Sequence, residues 1–167
     1  MPPTSRILIV CDDPIIANLA ASMLQKSGFG ILGIHRTGQE ALYLTAKLVP
    51  DLVVMDTTIA GSMDAIDAGH AIFQLFHVPI IFLAGTQDET KLARIKYAQP
   101  YGVVFRPFTQ SQIATIAGLA VYVHADRQPS LGKVPVGDSQ KMLDLNDEAV
   151  IILDKRGRIL LFNTYAS

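Results

Sequence analysis

Ile7-Leu8-Ile9-Val10-Cys11-Asp12-Asp13-Pro14 runs four apolar residues, enough for a strand, straight into two acids and a proline. Asp at an N-cap followed by Pro at the first helical position is a strong helix start. The carboxylate accepts from first-turn N–H groups that lack helical partners, and Pro has no N–H to leave unpaired. Ile15, Ile16, Leu19, Met23 and Leu24 then recur at helical spacing. A short apolar strand followed by a helix is the repeating unit of the chain.

The same unit returns four times. Ser27-Gly28-Phe29-Gly30 stops the first helix, and the pattern then predicts a strand over 31–34 and a helix over about 37–48. Pro50 opens Leu52-Val53-Val54-Met55, which Asp56 closes, and 63–76 is helical in pattern. Further strands are expected over 78–83 and 102–105, with helices over about 88–97 and 111–126. Five strand–helix units therefore occupy about 126 residues. The strands are solidly apolar rather than alternating, as a parallel sheet covered on both faces requires. Right-handed crossovers make this α/β fold a doubly wound five-stranded parallel sheet with helices on both faces.

Composition bounds the rest. The 167 residues carry 14 Lys+Arg against 15 Asp+Glu, half are apolar, and the mean hydropathy is +0.32. That much apolar material excludes a disordered chain. The near-neutral charge gives no bulk drive toward nucleic acid or anionic lipid. Cys11 is the only cysteine, which excludes an internal disulfide and a cysteine-rich zinc cage. The longest apolar run, 113–123, is 11 residues, against the roughly 20 that a spanning helix needs. A single Arg6 before four apolar residues is too little for a secretory signal, so a cytoplasmic location without a membrane segment is expected.

Beyond about residue 125 the composition shifts. Residues 127–142 are rich in Pro, Gly and polar side chains and read as a linker. Ala149-Val150-Ile151-Ile152-Leu153 and Ile159-Leu160-Leu161-Phe162 then flank a short Asp- and Gly-containing loop, the pattern of a β-hairpin. The expected division is 1–126, 127–142 and 143–167. A lone hairpin is marginal in water, so the last segment reads as the start of a further domain, either mobile or engaged in a homodimer.

In doubly wound sheets chemistry sits at the carboxyl ends of the strands. Those ends carry Cys11-Asp12-Asp13, Asp56, Ala84-Gly85-Thr86 and Arg106-Pro107. Acids and one cation from three strands converge there. Carboxylates can hold Mg²⁺ through a few oxygens, and a cation opposite can pair with a phosphoryl group. Each residue also has a plain role: one of Asp12 and Asp13 as an N-cap, Asp56 as a turn aspartate, Arg106 as a snorkelling cation. The joint placement, not any single residue, points to function.

Ile7 to Pro14, Pro50-Asp51-Leu52-Val53-Val54-Met55-Asp56 and Val104-Phe105-Arg106-Pro107-Phe108 resemble the three signature blocks of response-regulator receiver domains. Met63-Asp64-Ala65-Ile66 and Val78-Pro79-Ile80-Ile81-Phe82-Leu83 fit the same family. The match runs over 6–122. The resemblance implies that Asp56 takes a phosphoryl group from a histidine kinase or phosphotransfer domain, that Asp12, Asp56 and the Thr58 carbonyl hold Mg²⁺, and that Arg106 neutralises the phosphoryl charge. It also implies a cis peptide bond before Pro107. Four positions depart from the family. Cys11 stands in place of an acid, Ala84 in place of a Ser or Thr, Val103 in place of an aromatic switch residue, and Arg106 in place of lysine. A thiol is a poor Mg²⁺ partner, so weak metal binding is expected. Thr86 could replace the missing hydroxyl only in a rearranged loop. The other class of reading is a phosphorylation-independent pseudo-receiver, acting in docking or dimerisation.

Residues 143–167, with Asp147-Glu148-Ala149 leading into the hairpin and Asn163 after it, resemble the opening of a PAS sensory domain. Receiver followed by PAS is the arrangement of multi-domain sensor histidine kinases, which implies downstream PAS and kinase domains as partners. The remaining signals are plain. His35, His70, His77 and His124 lack metal-ligand spacing, and no Gly-rich phosphate loop follows the first strand. Ile113, Ile116, Leu119, Ala120 and Val123 form a core stripe on the last helix, whose length leaves room for a partner-facing edge.

Overall fold

The computed structural model describes residues 4–85, 89–126, 150–153 and 159–162. Strands β1 (Arg6–Val10), β2 (Gly30–His35), β3 (Leu52–Asp56), β4 (Ile80–Ala84) and β5 (Gly102–Phe105) pair in parallel in the order β2-β1-β3-β4-β5. Helices α1 (Pro14–Lys26), α2 (Gly38–Leu48), α3 (Ala65–Phe76), α4 (Glu89–Tyr97) and α5 (Gln110–Asp126) connect or follow them. The doubly wound five-stranded sheet expected from the apolar runs is present.

Two apolar layers cover the sheet. On one face Ile7, Ile9, Leu52, Val54, Ile81 and Leu83 pack against Ala17, Ala20 and Leu24 of α1 and Ile113, Ile116 and Ala120 of α5. On the other, Leu8, Val10, Val53, Met55 and Phe82 meet Ala41, Ala68, Ile72 and Ile95. Burying each such large side chain contributes about 1.5–3 kcal/mol. Four of the five helix starts are locally encoded. Asp13 accepts from Ile15 and Ile16 N–H, Thr37 from Glu40, and Asp64 from Ile66 and Asp67. Thr109 and Gln112 cap α5 reciprocally, Oγ1 accepting from Gln112 N–H and Oε1 from Thr109 N–H.

Two details differ from the sequence expectation. On α1, spacing marks the helix but not its inward face. Ala17, Ala20, Ala21 and Leu24 are buried, whereas Ile15 is 76% exposed and Leu19 42%. Small alanines let the helix approach the sheet closely, so the larger residues fall outside the contact. The second difference is the hairpin. β6 (Val150–Leu153) and β7 (Ile159–Phe162) pair antiparallel as expected, but β6 also pairs antiparallel with β5, Val104 opposite Val150. The hairpin thus extends the same sheet to seven strands. An edge strand such as β5 presents unpaired N–H and C=O groups, and β6 satisfies them. The linker 127–142 and the rest of 143–167 lie outside the described residues.

Gly69 on α3 sits against Phe82, where an added Cβ would come within 2.7 Å of the ring. Phe82 is wholly buried and has no free direction to move. Gly69→Val is therefore expected to lower stability by about 1–3 kcal/mol, read as a reduced urea midpoint with unchanged denaturant slope.

Candidate functional site

The carboxyl ends of β1, β3, β4 and β5 lie in line because the ladder continues past the strands. Cys11 N–H donates to His35 O, Thr57 N–H to Leu83 O and Arg106 N–H to Ala84 O, at 2.8, 2.9 and 2.8 Å. This brings Cys11, Asp56, Ala84 and Arg106 to one crevice. Pro107 follows Arg106 through a cis peptide bond.

Asp56 forms its floor, buried to 1% exposure. One carboxylate oxygen, Oδ1, accepts from Thr58 N–H at 2.8 Å. The other, Oδ2, lies 3.0 Å from Arg106 Nη1 and accepts from the Cys11 thiol at 3.7 Å. The thiol also lies 3.4 Å from Asp13 O. Gly85 admits the guanidinium, since a Cβ there would lie 2.6 Å from Arg106 Nη2.

Charge and burial oppose each other on these groups. Burial pushes the Asp56 carboxyl above its ordinary value, although Thr58 N–H, Arg106 and the thiol each pull it down, while Asp13 adds a further upward push. The Cys11 thiol is pushed up to about 11, by burial first and then by the Asp56 charge beside it. Cys11 is therefore a neutral thiol at pH 7, a weak donor toward Asp56 and not a substitute carboxylate.

The two neighbouring acids divide their work. Asp13 is the N-cap of α1. Asp12 is engaged from the end of β2, where Arg36 donates to its Oδ1 through Nε at 2.8 Å and Nη2 at 2.6 Å. Arg36 was missed by sequence reasoning, and Gly85 was placed at the end of β4 without a role. The strand order could have found Arg36, since β2 pairs with β1 and its end must border the same crevice. Val103 is buried within β5, and Ala84 ends β4 without a hydroxyl to offer. Thr86 lies outside the described residues.

A model of the response regulator receiver domain matches residues 7–117. The chain belongs to the receiver family. It is 33% identical over 116 residues to the transcriptional regulatory protein PdtaR of Mycobacterium tuberculosis, covering 70% of this chain and 56% of that one. It is 24% identical to the phyllosphere-induced regulator PhyR of Methylorubrum extorquens, over 71% of this chain and 44% of that one. The chain thus spans about half the length of these curated relatives. Among solved structures, the receiver domain of PhyR from Erythrobacter litoralis aligns with a TM-score of 0.64 at 28% identity, over 78% of this chain and 97% of that one. The N-terminal domain of a response regulator/sensory box/GGDEF three-domain protein from Carboxydothermus hydrogenoformans aligns at 0.65 and 29%, over 72% and 96%. As a receiver, the chain belongs to two-component signalling. Among the described residues no helix is long and apolar enough to cross a membrane.

Receivers generally use their acid pocket for Mg²⁺, and the donor chemistry here suits that ion in reduced form. Asp12 and Asp56 are hard carboxylate donors, and the Thr58 main chain is held next to Asp56 by their hydrogen bond. No three His, Cys, Asp or Glu side chains gather as a metal cluster among the described residues.

The raised Asp56 pKa has a definite sign in stability. Folding favours the protonated form, so this residue's contribution is fully present below its unfolded value near 3.8 and is lost as pH rises through the folded value. Asp56→Asn is therefore expected to raise the urea midpoint at pH 7, with the gain shrinking as pH falls toward 3.8. A gain that persists undiminished at pH 3 would contradict burial as the dominant cause.

Proposed function

We propose that Asp56 accepts a phosphoryl group from a phosphohistidine of a histidine kinase or phosphotransfer domain. The observation that carries this reading is the buried Asp56 carboxylate held 3.0 Å from the Arg106 guanidinium. A carboxylate oxygen attacks phosphorus, the O–P bond forms as the N–P bond breaks, and the imidazole leaves and takes up a proton. Asp56 becomes an acyl phosphate. Thr58 N–H orients the nucleophile by holding Oδ1. Arg106 then faces the added negative charge and stabilises it as it develops. Asp12, Asp56 and the Thr58 carbonyl would hold Mg²⁺, which supplies further charge neutralisation when bound.

A guanidinium is not equivalent to the compact ammonium usual in the family, because its planar fork favours bidentate geometry. Here it presents Nη1 to Asp56 and lays Nη2 over Gly85. Without a hydroxyl at Ala84 and an aromatic at Val103, coupling from Asp56 to the rest of the fold is weaker than in family members that carry both. This supports a second reading, a pseudo-receiver whose docking surfaces work without phosphorylation.

We also read residues 143–167 as the opening of a PAS domain and the whole as part of a cytoplasmic receiver–PAS sensor histidine kinase. The hairpin pattern at β6 and β7 supports this, as does the receiver that precedes a sensory box in the Carboxydothermus protein. On this reading the boundaries are 1–126, 127–142 and 143–167.

Incubation with acetyl phosphate and Mg²⁺, followed by intact-mass measurement, separates the two functions. The expected result is a single labile phosphoryl adduct, absent from Asp56→Asn and strongly reduced in Arg106→Ala. Identical spectra for wild type and Asp56→Asn would leave the pseudo-receiver reading. In parallel, Cys11→Asp is expected to tighten Mg²⁺ binding, because another carboxylate adds charge and oxygen donors beside Asp12. Calorimetric titration of both proteins checks this.

A further inference from the structure

Asp12 meets Arg36 at the rim of the crevice, and Arg36 has no role in the phosphoryl transfer described above. Both Nε and Nη2 of Arg36 donate to the same oxygen, Oδ1, at 2.8 and 2.6 Å. The contact is charge-assisted, which strengthens a hydrogen bond, but both nitrogens share one oxygen and an exposed pair, screened by solvent, contributes only modestly. Here the screening is real, with the Arg36 side chain 68% and the Asp12 side chain 40% exposed.

Arg36 is not a freely waving cation. Its own N–H faces Glu40 Oε2 at 3.4 Å, and its carbonyl accepts from Ala60 N–H at 2.8 Å. Thr37 and Ala60 form a parallel bridge next to it. Through Ala60 the Arg36 backbone is tied to the loop that also carries Thr58. Arg36 therefore joins the two pieces of chain, after β1 and after β3, that supply the expected metal donors. Its guanidinium supplies the positive charge that Asp12 would otherwise draw from a metal.

We propose that Arg36 is a built-in counter-cation that competes with Mg²⁺ for Asp12 and so sets the metal affinity of the site. The proposal rests on the metal site in the functional reading above, but not on phosphoryl transfer itself. A divalent ion and the Arg36 fork draw on the same carboxylate charge, so binding one weakens the hold of the other. Removing the fork leaves Asp12 anionic and available, while the backbone bonds of residue 36 to Ala60 and Glu40 need no guanidinium.

The test is calorimetric titration of the full chain with Mg²⁺, comparing wild type, Arg36→Gln, Arg36→Lys and the double variant Arg36→Gln/Asp12→Asn. Loss of an exposed pair of this kind corresponds to an affinity gain of about two- to five-fold. Arg36→Gln is expected to lower the Mg²⁺ dissociation constant by that factor. Arg36→Lys should fall between it and wild type, since an ammonium cannot make the two-pronged contact. The gain should vanish in the double variant. Circular dichroism checks that each variant is folded. Equal affinity in wild type and Arg36→Gln overturns the proposal, as does a gain that survives Asp12→Asn or an absence of measurable Mg²⁺ binding in both proteins. Acetyl phosphate labelling is read separately. A chain that takes no phosphoryl group yet binds Mg²⁺ more tightly as Arg36→Gln sinks the phosphoacceptor reading and leaves this one standing.

Discussion

Strands buried on both faces have nowhere to place a polar side chain except at their ends. β3 and β4 are buried at every position, and β1 from Ile7 onward. In the interior of the sheet each residue packs against a helix above or below, where an unpaired polar group would cost several kcal/mol. Charge is therefore expelled to the strand termini, and the ladder bonds of Cys11, Thr57 and Arg106 align those termini. The crevice follows from the way this core is packed. Asp56 is the limiting case, as the last residue of β3 and almost without solvent. It is tolerated because Arg106, Thr58 N–H and the Cys11 thiol satisfy its two oxygens.

The same constraint explains what could be read directly from the residues. Solid apolar runs marked the five parallel strands, and Asp13-Pro14 marked the first helix start, because strand burial and N-capping act through neighbours in sequence. The boundaries shift where capping decides them, so α3 begins at Ala65 after Asp64 rather than at Met63. The inward face of α1 was not legible. Which side turns to the sheet depends on how closely the helix can approach, and alanines won over Ile15 and Leu19. Nor was the attachment of β6 to β5, which is a backbone pairing between segments far apart in sequence and has no side-chain signature.

The site was legible in its membership but not in its wiring. Strand ends nominate Asp12, Asp56 and Arg106 because position along a buried strand suffices to place them. They do not reveal that Asp12 turns to Arg36, although Asp13-Pro14 already marks Asp13 as the cap of α1. Those partnerships depend on side-chain directions in a βα turn, where successive residues point different ways. Gly85 was equally silent. A glycine after Ala84 acquires meaning only once the Arg106 guanidinium is seen to lie over it.

Placing a thiol at position 11 changes the charge balance of the whole crevice. Its proton is held to about pH 11, so the site has one negative charge fewer than an acid at this position would supply. What remains pairs off internally, Asp56 with Arg106 and Asp12 with Arg36. Each of these two acids faces a guanidinium, while Asp13 turns back to cap α1. The same pairing occupies both guanidinium groups, and each arginine is tied to its neighbours by a main-chain bond, Arg106 N–H donating to Ala84 O and Arg36 O accepting from Ala60 N–H. With a neutral thiol where an acid would add charge, and two acids each facing a guanidinium, the electrostatics of the crevice are set by internal pairs rather than by an open cluster of carboxylates.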